Sequence, residues 1–258
     1  MRLDMHCHTK EGSPDGKIAL TGYISLLKEK GYQGMLLTDH NSYQAYYHYI
    51  NHMDNPVFQN FTILKGIEYD TIDAGHFLVV MPQTVSLPVL EVRGLPVAAL
   101  IEVVHNFGGI LGPAHPCGEK YMSFCNTKCY KKNPGLIKSF DFMETFNACE
   151  TDEANLKASR LAVRFRLPGF GGSDSHKTSS IGCAYTDLPD HIHSESDLIA
   201  YIKRKAPVSC GGHHFPHTLR ARIGIFHKLL VHSFWFYNKA AGLLCGPRRR
   251  SALAHRNS

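Results

Sequence analysis

Short apolar runs alternate with amphipathic stretches along most of this chain, the pattern of repeated β-α units. Residues 2–6 read as a first strand. Leu20, Tyr23, Ile24 and Leu27 then fall on one helical face, and Gly31 supplies a C-terminal stop. Residues 34–37 form a second apolar run, followed by a tyrosine-rich helix to about residue 53. Residues 61–67 and 77–81 read as two more strands. A helix over about residues 96–107 turns Val97, Leu100, Ile101 and Val104 inward and stops at Gly108-Gly109. Strands at 110–113, 140–145 and 169–172 complete the series. Between the last two, Ala154, Ala158, Leu161, Ala162 and Phe165 mark a further helix.

Polar residues interrupt this pattern at particular places. His8, His40, Glu68, His115 and Asp174 each fall at or just after the C-terminal end of an expected strand. In a closed parallel barrel those ends gather at one mouth, where catalytic groups collect. Alternate residues of a strand face the same way, so the imidazoles of His6 and His8 converge. Two converging neutral imidazoles are half of a transition-metal site. Thr38-Asp39-His40, Gly66-Ile67-Glu68, Gly75-His76, Ala114-His115-Pro116 and Ser173-Asp174-Ser175-His176 add enough donors for more than one ion. His76 precedes its strand. It reaches the mouth only if that strand runs against its neighbours or the preceding turn folds inward.

Composition narrows the class. With 258 residues and 43% apolar content the chain can bury a substantial core, and one α/β barrel of 200–250 residues is an ordinary size. No run of about 20 apolar residues predicts a membrane span. Asp4, His6 and His8 stand where an export signal needs an apolar stretch, so a cytoplasmic location is expected. The eight cysteines follow no framework and read as reduced, mostly structural thiols. Cys125 and Cys129 have a spacing that clips zinc, but a second pair is missing.

Charge divides the chain. Residues 1–197 hold 17 Lys/Arg against 22 Asp/Glu, a net −5, while residues 198–258 hold 11 Lys/Arg and no acid, a net +11. The acidic front suits a metal-binding body, and the basic end suits either solubility or contact with a polyanion. Beyond Cys210-Gly211-Gly212 the character changes, which divides the chain into a body, 1–212, and a basic C-terminal extension, 213–258. Phe226, Leu229, Leu230, Ser233 and Tyr237 have helical spacing and predict a helix docked on the body. A basic amphipathic helix on a surface is the alternative. Arg248–Arg250 and the last eight residues are expected to fray.

Taken in order, His6-x-His8, Ser13-Pro14-Asp15-Gly16, Leu37-Thr38-Asp39-His40, Gly66-Ile67-Glu68, His76, His115-Pro116 and Ser173-Asp174-Ser175-His176 resemble the PHP family, named for polymerase and histidinol phosphatase domains. The resemblance covers roughly residues 2–212. It implies an α/β fold, a distorted seven-stranded, TIM-like (β/α) barrel, with two or three divalent ions at its mouth. Carried over residue by residue, it implies that His6, His8, Glu68 and Asp174 hold a first ion. A second shares Glu68 as a bridge and adds His76 and His115. A third, where present, uses Asp15, His40 and His176. Carboxylates bridge cations and imidazole terminates one, so this sharing is chemically sound. Mixed nitrogen and oxygen donors fit manganese, zinc or iron better than magnesium or calcium.

Other residues carry plainer readings. Asp39 is expected to orient a ligand rather than to bind. Asp15 has the competing reading of a turn cap before Gly16. Glu144, in Phe142-Met143-Glu144-Thr145-Phe146-Asn147, is expected near the substrate or behind a ligand. His48, His52, His105, His191, His193, His213, His214 and His217 read as ordinary packed or exposed histidines.

Clustered divalent ions suit phosphate-ester hydrolysis by a metal-activated water. Glu68 is expected to hold the attacking group, and His40 or His176 to assist the leaving group, with the third ion's water as the alternative acid. A Gly-x-Ser-x-Gly elbow and a phosphate-binding Gly-rich Lys-Ser/Thr loop are both absent from the sequence, and Cys7 alternates away from its histidine neighbours. Histidinol phosphatases tend to carry histidine where Asp15 stands. The segment instead resembles the small nucleotide and oligonucleotide phosphoesterases, which implies a nucleotide or an RNA or DNA end as substrate. Lys10, Arg93, Lys120 and Lys177 are candidate phosphate contacts. The competing readings are a phosphatase for histidinol phosphate or another small metabolite, and a metal-containing binding module without catalysis. The sequence leaves the oligomeric state open.

Overall fold

A computed structural model describes residues 1–118, 122–215, 233, 236, 237 and 239–254. The strands are β1 (Arg2–Cys7), β2 (Gly34–Leu37), β3 (Thr62–Asp70), β4 (His76–Val80), β5 (Ile110–Pro113), β6 (Met143–Asn147), β7 (Gly169–Gly172), β8 (Ala184–Asp187) and β9 (Ser209–Gly212). The helices are α1 (Leu20–Glu29), α2 (Gln44–Asn51), α3 (Val97–Asn106), α4 (Lys128–Lys132), α5 (Asp152–Phe165), α6 (Glu195–Lys203) and α7 (Gly246–Ala254).

Seven strands form one sheet in the order β5-β4-β3-β2-β1-β8-β9. β1, β2 and β3 run parallel, with Leu3 beside Gly34 and Gly34 beside Thr62. β4 turns back against β3, pairing Asp70 with His76, and β5 turns back again against β4. β8 lies antiparallel to β1 and β9 antiparallel to β8. β6 and β7 form a separate parallel ribbon.

This corrects the expectation of a closed seven-stranded barrel. The sheet is curled but its hydrogen-bonded ring stays open among the described residues, and the ribbon joins it through scattered backbone bonds and through the Thr186 hydroxyl, which bonds to both the amide and the carbonyl of Gly171. The Asp141 amide donates to the Leu111 carbonyl at 2.9 Å on one side. The Asp174 amide donates to the His6 carbonyl at 2.8 Å on the other. Glycine makes the close approach possible. A Cβ at Gly172 would collide with His6, and one at Gly112 would collide with the Phe142 carbonyl. β8 and β9 carry too little hydrophobic alternation to be read in advance.

Period-two patterning divides the core. Leu3, Met5, Leu36, Leu64, Leu78, Val80, Ile110, Phe142 and Phe170 point into the curl, where the rings of Phe142 and Phe170 stack with centroids 4.1 Å apart. Met35, Leu37 and Ile63 face the other way, against Leu20, Tyr23, Ile24 and Leu27 of α1. Burying each such side chain contributes about 1.5–3 kcal/mol. α3 buries Val103 where Ile101 was expected; Ile101 is only partly covered. α5 starts at Thr151, whose hydroxyl accepts the Ala154 amide at 3.2 Å, with Asp152 and Glu153 in its first turn.

At the C-terminus, α7 packs on the short 3-10 turn Pro88–Glu91, and Arg249 Nη1 donates to the Arg93 carbonyl. Gly242 lies against Ile72. Arg248–Arg250, expected to fray, are part of α7. Of the helix anticipated around 226–237, Ser233 and Tyr237 are helical, whereas Phe226, Leu229 and Leu230 lie outside the described residues. Among the described residues no helix is long and apolar enough to cross a membrane.

Candidate metal centre

The ends of β1, β2, β3, β5 and β7 meet at one mouth, and the reversed direction of β4 brings His76 there as well. His6 and His8 point to one side of β1, their Nε2 atoms 3.1 Å apart. Two bare nitrogens at that distance do not hydrogen-bond unless one is protonated; a shared electrophile satisfies both.

Glu68 sits in the middle. Its Oε1 is 3.0 Å from His76 Nδ1 and 3.1 Å from His115 Nε2. Its Oε2 is 3.5 Å from His6 Nε2, 3.3 Å from His8 Nε2 and 3.1 Å from His40 Nδ1. Asp174 Oδ1 lies 3.3 Å from His8 Nε2 and 3.7 Å from His6 Nε2. Further out, Asp15 Oδ2 is 3.1 Å from His176 Nε2 and 3.7 Å from His40 Nε2. The donors fall into overlapping groups: His6, His8 and Glu68; Glu68, His76 and His115; His8, Asp15, His40 and His176. All nine residues expected at the mouth are brought together there.

A fourth group, His40, Asp70 and His76, was missed. Asp70 Oδ1 is 3.3 Å from both His40 Nδ1 and His76 Nε2, while Oδ2 pairs with Arg93. Its signal was faint: Asp70 lies two residues beyond Glu68, on the same side of β3. Arg93 is therefore engaged by Asp70, rather than standing alone as a phosphate contact. Lys10 and Lys177 are exposed, and Lys120 lies outside the described residues.

A second layer fixes these groups. Glu144 Oε1 is 2.8 Å from His6 Nδ1 and its Oε2 accepts the His115 amide. Asn147 Nδ2 donates to Glu144 at 3.1 Å and to Asp174 Oδ2 at 3.3 Å. Ser13 Oγ is 3.1 Å from His8 Nδ1 and accepts the His40 amide at 3.0 Å. Asp39, expected to orient a ligand rather than to bind, accepts from the Thr9 amide at 2.6 Å and the Thr9 hydroxyl at 2.9 Å, tethering the loop that carries Asp15. Asp4 was missed: fully buried, it accepts from the Ser173 amide at 2.9 Å and hydroxyl at 2.6 Å, beside Asp174. His115 and Asp174 both have positive φ, +30° and +50°. Such strain costs on the order of 1–3 kcal/mol each and persists where neighbours over-determine the backbone.

Electrostatics follow from burial and crowding. Burial pushes His8 down to about 3 and Asp4 up to about 6. Burial opposes the charged form of Glu68, but the surrounding histidines hold it well below the usual carboxylate range. His40 is driven the other way: despite burial, Glu68, Asp70 and Asp15 push it up to about 10. His40 Nδ1 and Asp70 Oδ1 are buried without a hydrogen-bond partner among the described residues. Imidazoles, carboxylates and orphaned buried atoms converging on shared points fit divalent cations.

The profile of the PHP domain family matches residues 4–154, and that of the PHP-associated family matches residues 152–207. No curated protein matches the chain. Among solved structures, PsfC from Pseudomonas syringae is 14% identical with a TM-score of 0.59, over 97% of this chain and 98% of that one. A putative metal-dependent phosphoesterase from Bifidobacterium adolescentis is 13% identical, TM-score 0.56, over 79% and 96%. The lesion-specific endonuclease Q of Pyrococcus furiosus is 17% identical, TM-score 0.57, over 81% of this chain but only 58% of its own length. At these identities the structural likeness speaks for the fold.

Proposed function

The chain belongs to the PHP domain family, and from that premise we propose that it hydrolyses phosphate esters with a metal-activated water, on nucleotides or the ends of oligonucleotides. The observation that carries this reading is the sharing of Glu68 between two donor groups, with both carboxylate oxygens committed to histidines from different strands. His6, His8, Glu68 and Asp174 would hold one ion, Glu68, His76 and His115 a second, and Asp15, His40 and His176 a third. When bound, divalent ions supply a water of lowered pKa and neutralise charge on phosphoryl oxygens.

The chain's own groups do the rest. Glu144 at His6 Nδ1 and Ser13 at His8 Nδ1 leave both Nε2 atoms facing the centre. Glu68, kept ionised by its histidine neighbours, remains an acceptor across the working pH range. His40 and His176 lie at the solvent side, where either, when its nitrogen is not occupied by an ion, can pass a proton to a departing alkoxide, while Asp15, held well below the usual carboxylate range by His176, His40 and His8, stays ionised beside them. Beside Asp70, a cleft lined by Arg93, Gly94, Met122 and Lys239 brings two cations next to the mouth. Arg93 is already paired with Asp70 there, so the nucleotide reading over a simple metabolite is supported instead by the Ser13-Pro14-Asp15-Gly16 segment, which resembles that of the small nucleotide phosphoesterases. The endonuclease Q neighbours, one of them crystallised with a duplex bearing an abasic lesion at its active site, lend the same reading support.

Metal analysis of the purified protein, joined to a panel of histidinol phosphate, a 3′,5′-bisphosphonucleotide and 5′-phosphorylated RNA with added manganese, tests the proposal. Turnover of the second or third is expected. Turnover of histidinol phosphate alone would favour the small-metabolite alternative. No turnover by metal-replete protein would favour a binding module.

A further inference from the structure

The cysteine spacing in the sequence drew attention to Cys125 and Cys129, yet the sulfur facing Cys125 belongs to Cys117. Their Sγ atoms are 3.3 Å apart, and neither is in a disulfide. Cys125 is buried and Cys117 partly exposed. One backbone and one side-chain bond hold the two together: the Cys125 amide donates to the Pro116 carbonyl at 2.9 Å, and Asn126 Nδ2 donates to the Gly118 carbonyl at 2.7 Å. Closing from 3.3 Å to a bonded length of about 2.05 Å therefore asks for a small approach within an already tied segment. The same segment props the centre. The Met122 carbonyl accepts the His76 amide at 3.0 Å, and Ser123 Oγ stands 3.5 Å from His115 Nδ1.

We propose that Cys117 and Cys125 form an oxidisable dithiol, a modification site that a hydroperoxide converts to an intramolecular disulfide beside the His76 and His115 donors. Cys117, the more accessible sulfur, meets the oxidant first. An S–O bond forms as the O–O bond breaks, giving a sulfenic acid and one water when the oxidant is hydrogen peroxide. The Cys125 sulfur then displaces that oxygen: S–S forms, S–O breaks, and a second water leaves with the remaining thiol proton. Two thiols lose two electrons and two protons to one peroxide. The bond closes a covalent ring through the segment that contacts His76 and His115.

The test uses the full-length, metal-loaded protein, reduced and then treated with one equivalent of hydrogen peroxide. Alkylation and tryptic mapping follow, with cleavage after Lys120 separating the two cysteines unless they are bonded. The expected product is a linked pair of peptides carrying Cys117 and Cys125, two mass units lighter than the reduced pair and split by dithiothreitol. Cys129→Ser should form the same link and Cys117→Ser should not. Separate alkylation of Cys117 and Cys125, or a link from Cys125 to Cys129, overturns the proposal, and wild-type mapping alone decides it if Cys117→Ser fails to fold. Metal loss to excess chelator should be at least twofold slower after oxidation. Equal rates would refute the coupling of this cross-link to the centre.

Discussion

The inner and outer halves of the mouth are built differently. His6, His8, Glu68, His115 and Asp174 are almost completely buried, and most have a second residue fixing their far side. Asp15, His40 and His176 have side chains 54%, 19% and 27% exposed, and Asp15 hangs from a loop tethered through Thr9 and Asp39. A buried, buttressed donor set is preorganised and loses little freedom when an ion arrives, whereas a loop-borne set must be ordered by it. The inner half should therefore hold ions tightly, and the outer half should exchange them.

Four changes break or sharpen that contrast. The largest effect is expected from Glu68→Ala, which takes a ligand from both inner groups. Two ions should be lost and kcat should fall by about 10³-fold or more. Wild-type metal content in that variant would contradict the shared carboxylate. Glu144→Gln leaves every inner donor in place but weakens the support of His6 and of the His115 amide. Inner-site metal affinity should drop by about 10–100-fold, and an unchanged affinity by competition with a chromogenic chelator would remove Glu144 from the account.

Protons give the third test. In the ion-free protein His40 is pushed up to about 10, and His6 is also held well above its ordinary value, where burial is overcome by Glu144, Asp174 and Glu68. His40 is therefore protonated at neutral pH, the proton on His6 is favoured in the same direction, and each imidazole must lose its proton to bind an ion. Affinity should rise steadily from pH 6 to pH 9, with protons released into the buffer on titration. A flat affinity with no proton release would show that these nitrogens are not ligands. The smallest effect is expected from Asp15→Ala. It should loosen one exchangeable ion by roughly tenfold while the inner pair stays, and loss of every ion would erase the division into two halves.

The inner half was legible because strand periodicity and short polar motifs coincide there. His6-x-His8 on β1 and Glu68 near the end of β3 carry their own geometry. His76 was legible only conditionally, and the antiparallel direction of β4 supplied the missing condition. Asp70 and Asp4 were hidden because each reads as one more strand residue until the sheet curls and sets it against His40 or Ser173. The open ring was hidden for a related reason: Gly112 and Gly172 read as ordinary members of expected strands, and only tertiary contact shows them as points of close approach. The approach of Cys117 to Cys125 is a tertiary contact that no spacing rule encodes.

Crystals grown with manganese and measured at a wavelength where it scatters anomalously would examine the shared carboxylate directly. Two peaks are expected within bonding distance of opposite oxygens of Glu68, one toward His6 and His8 and the other toward His76 and His115, with a weaker third between Asp15 and His176. A fully loaded crystal with no peak touching Glu68 would contradict the account.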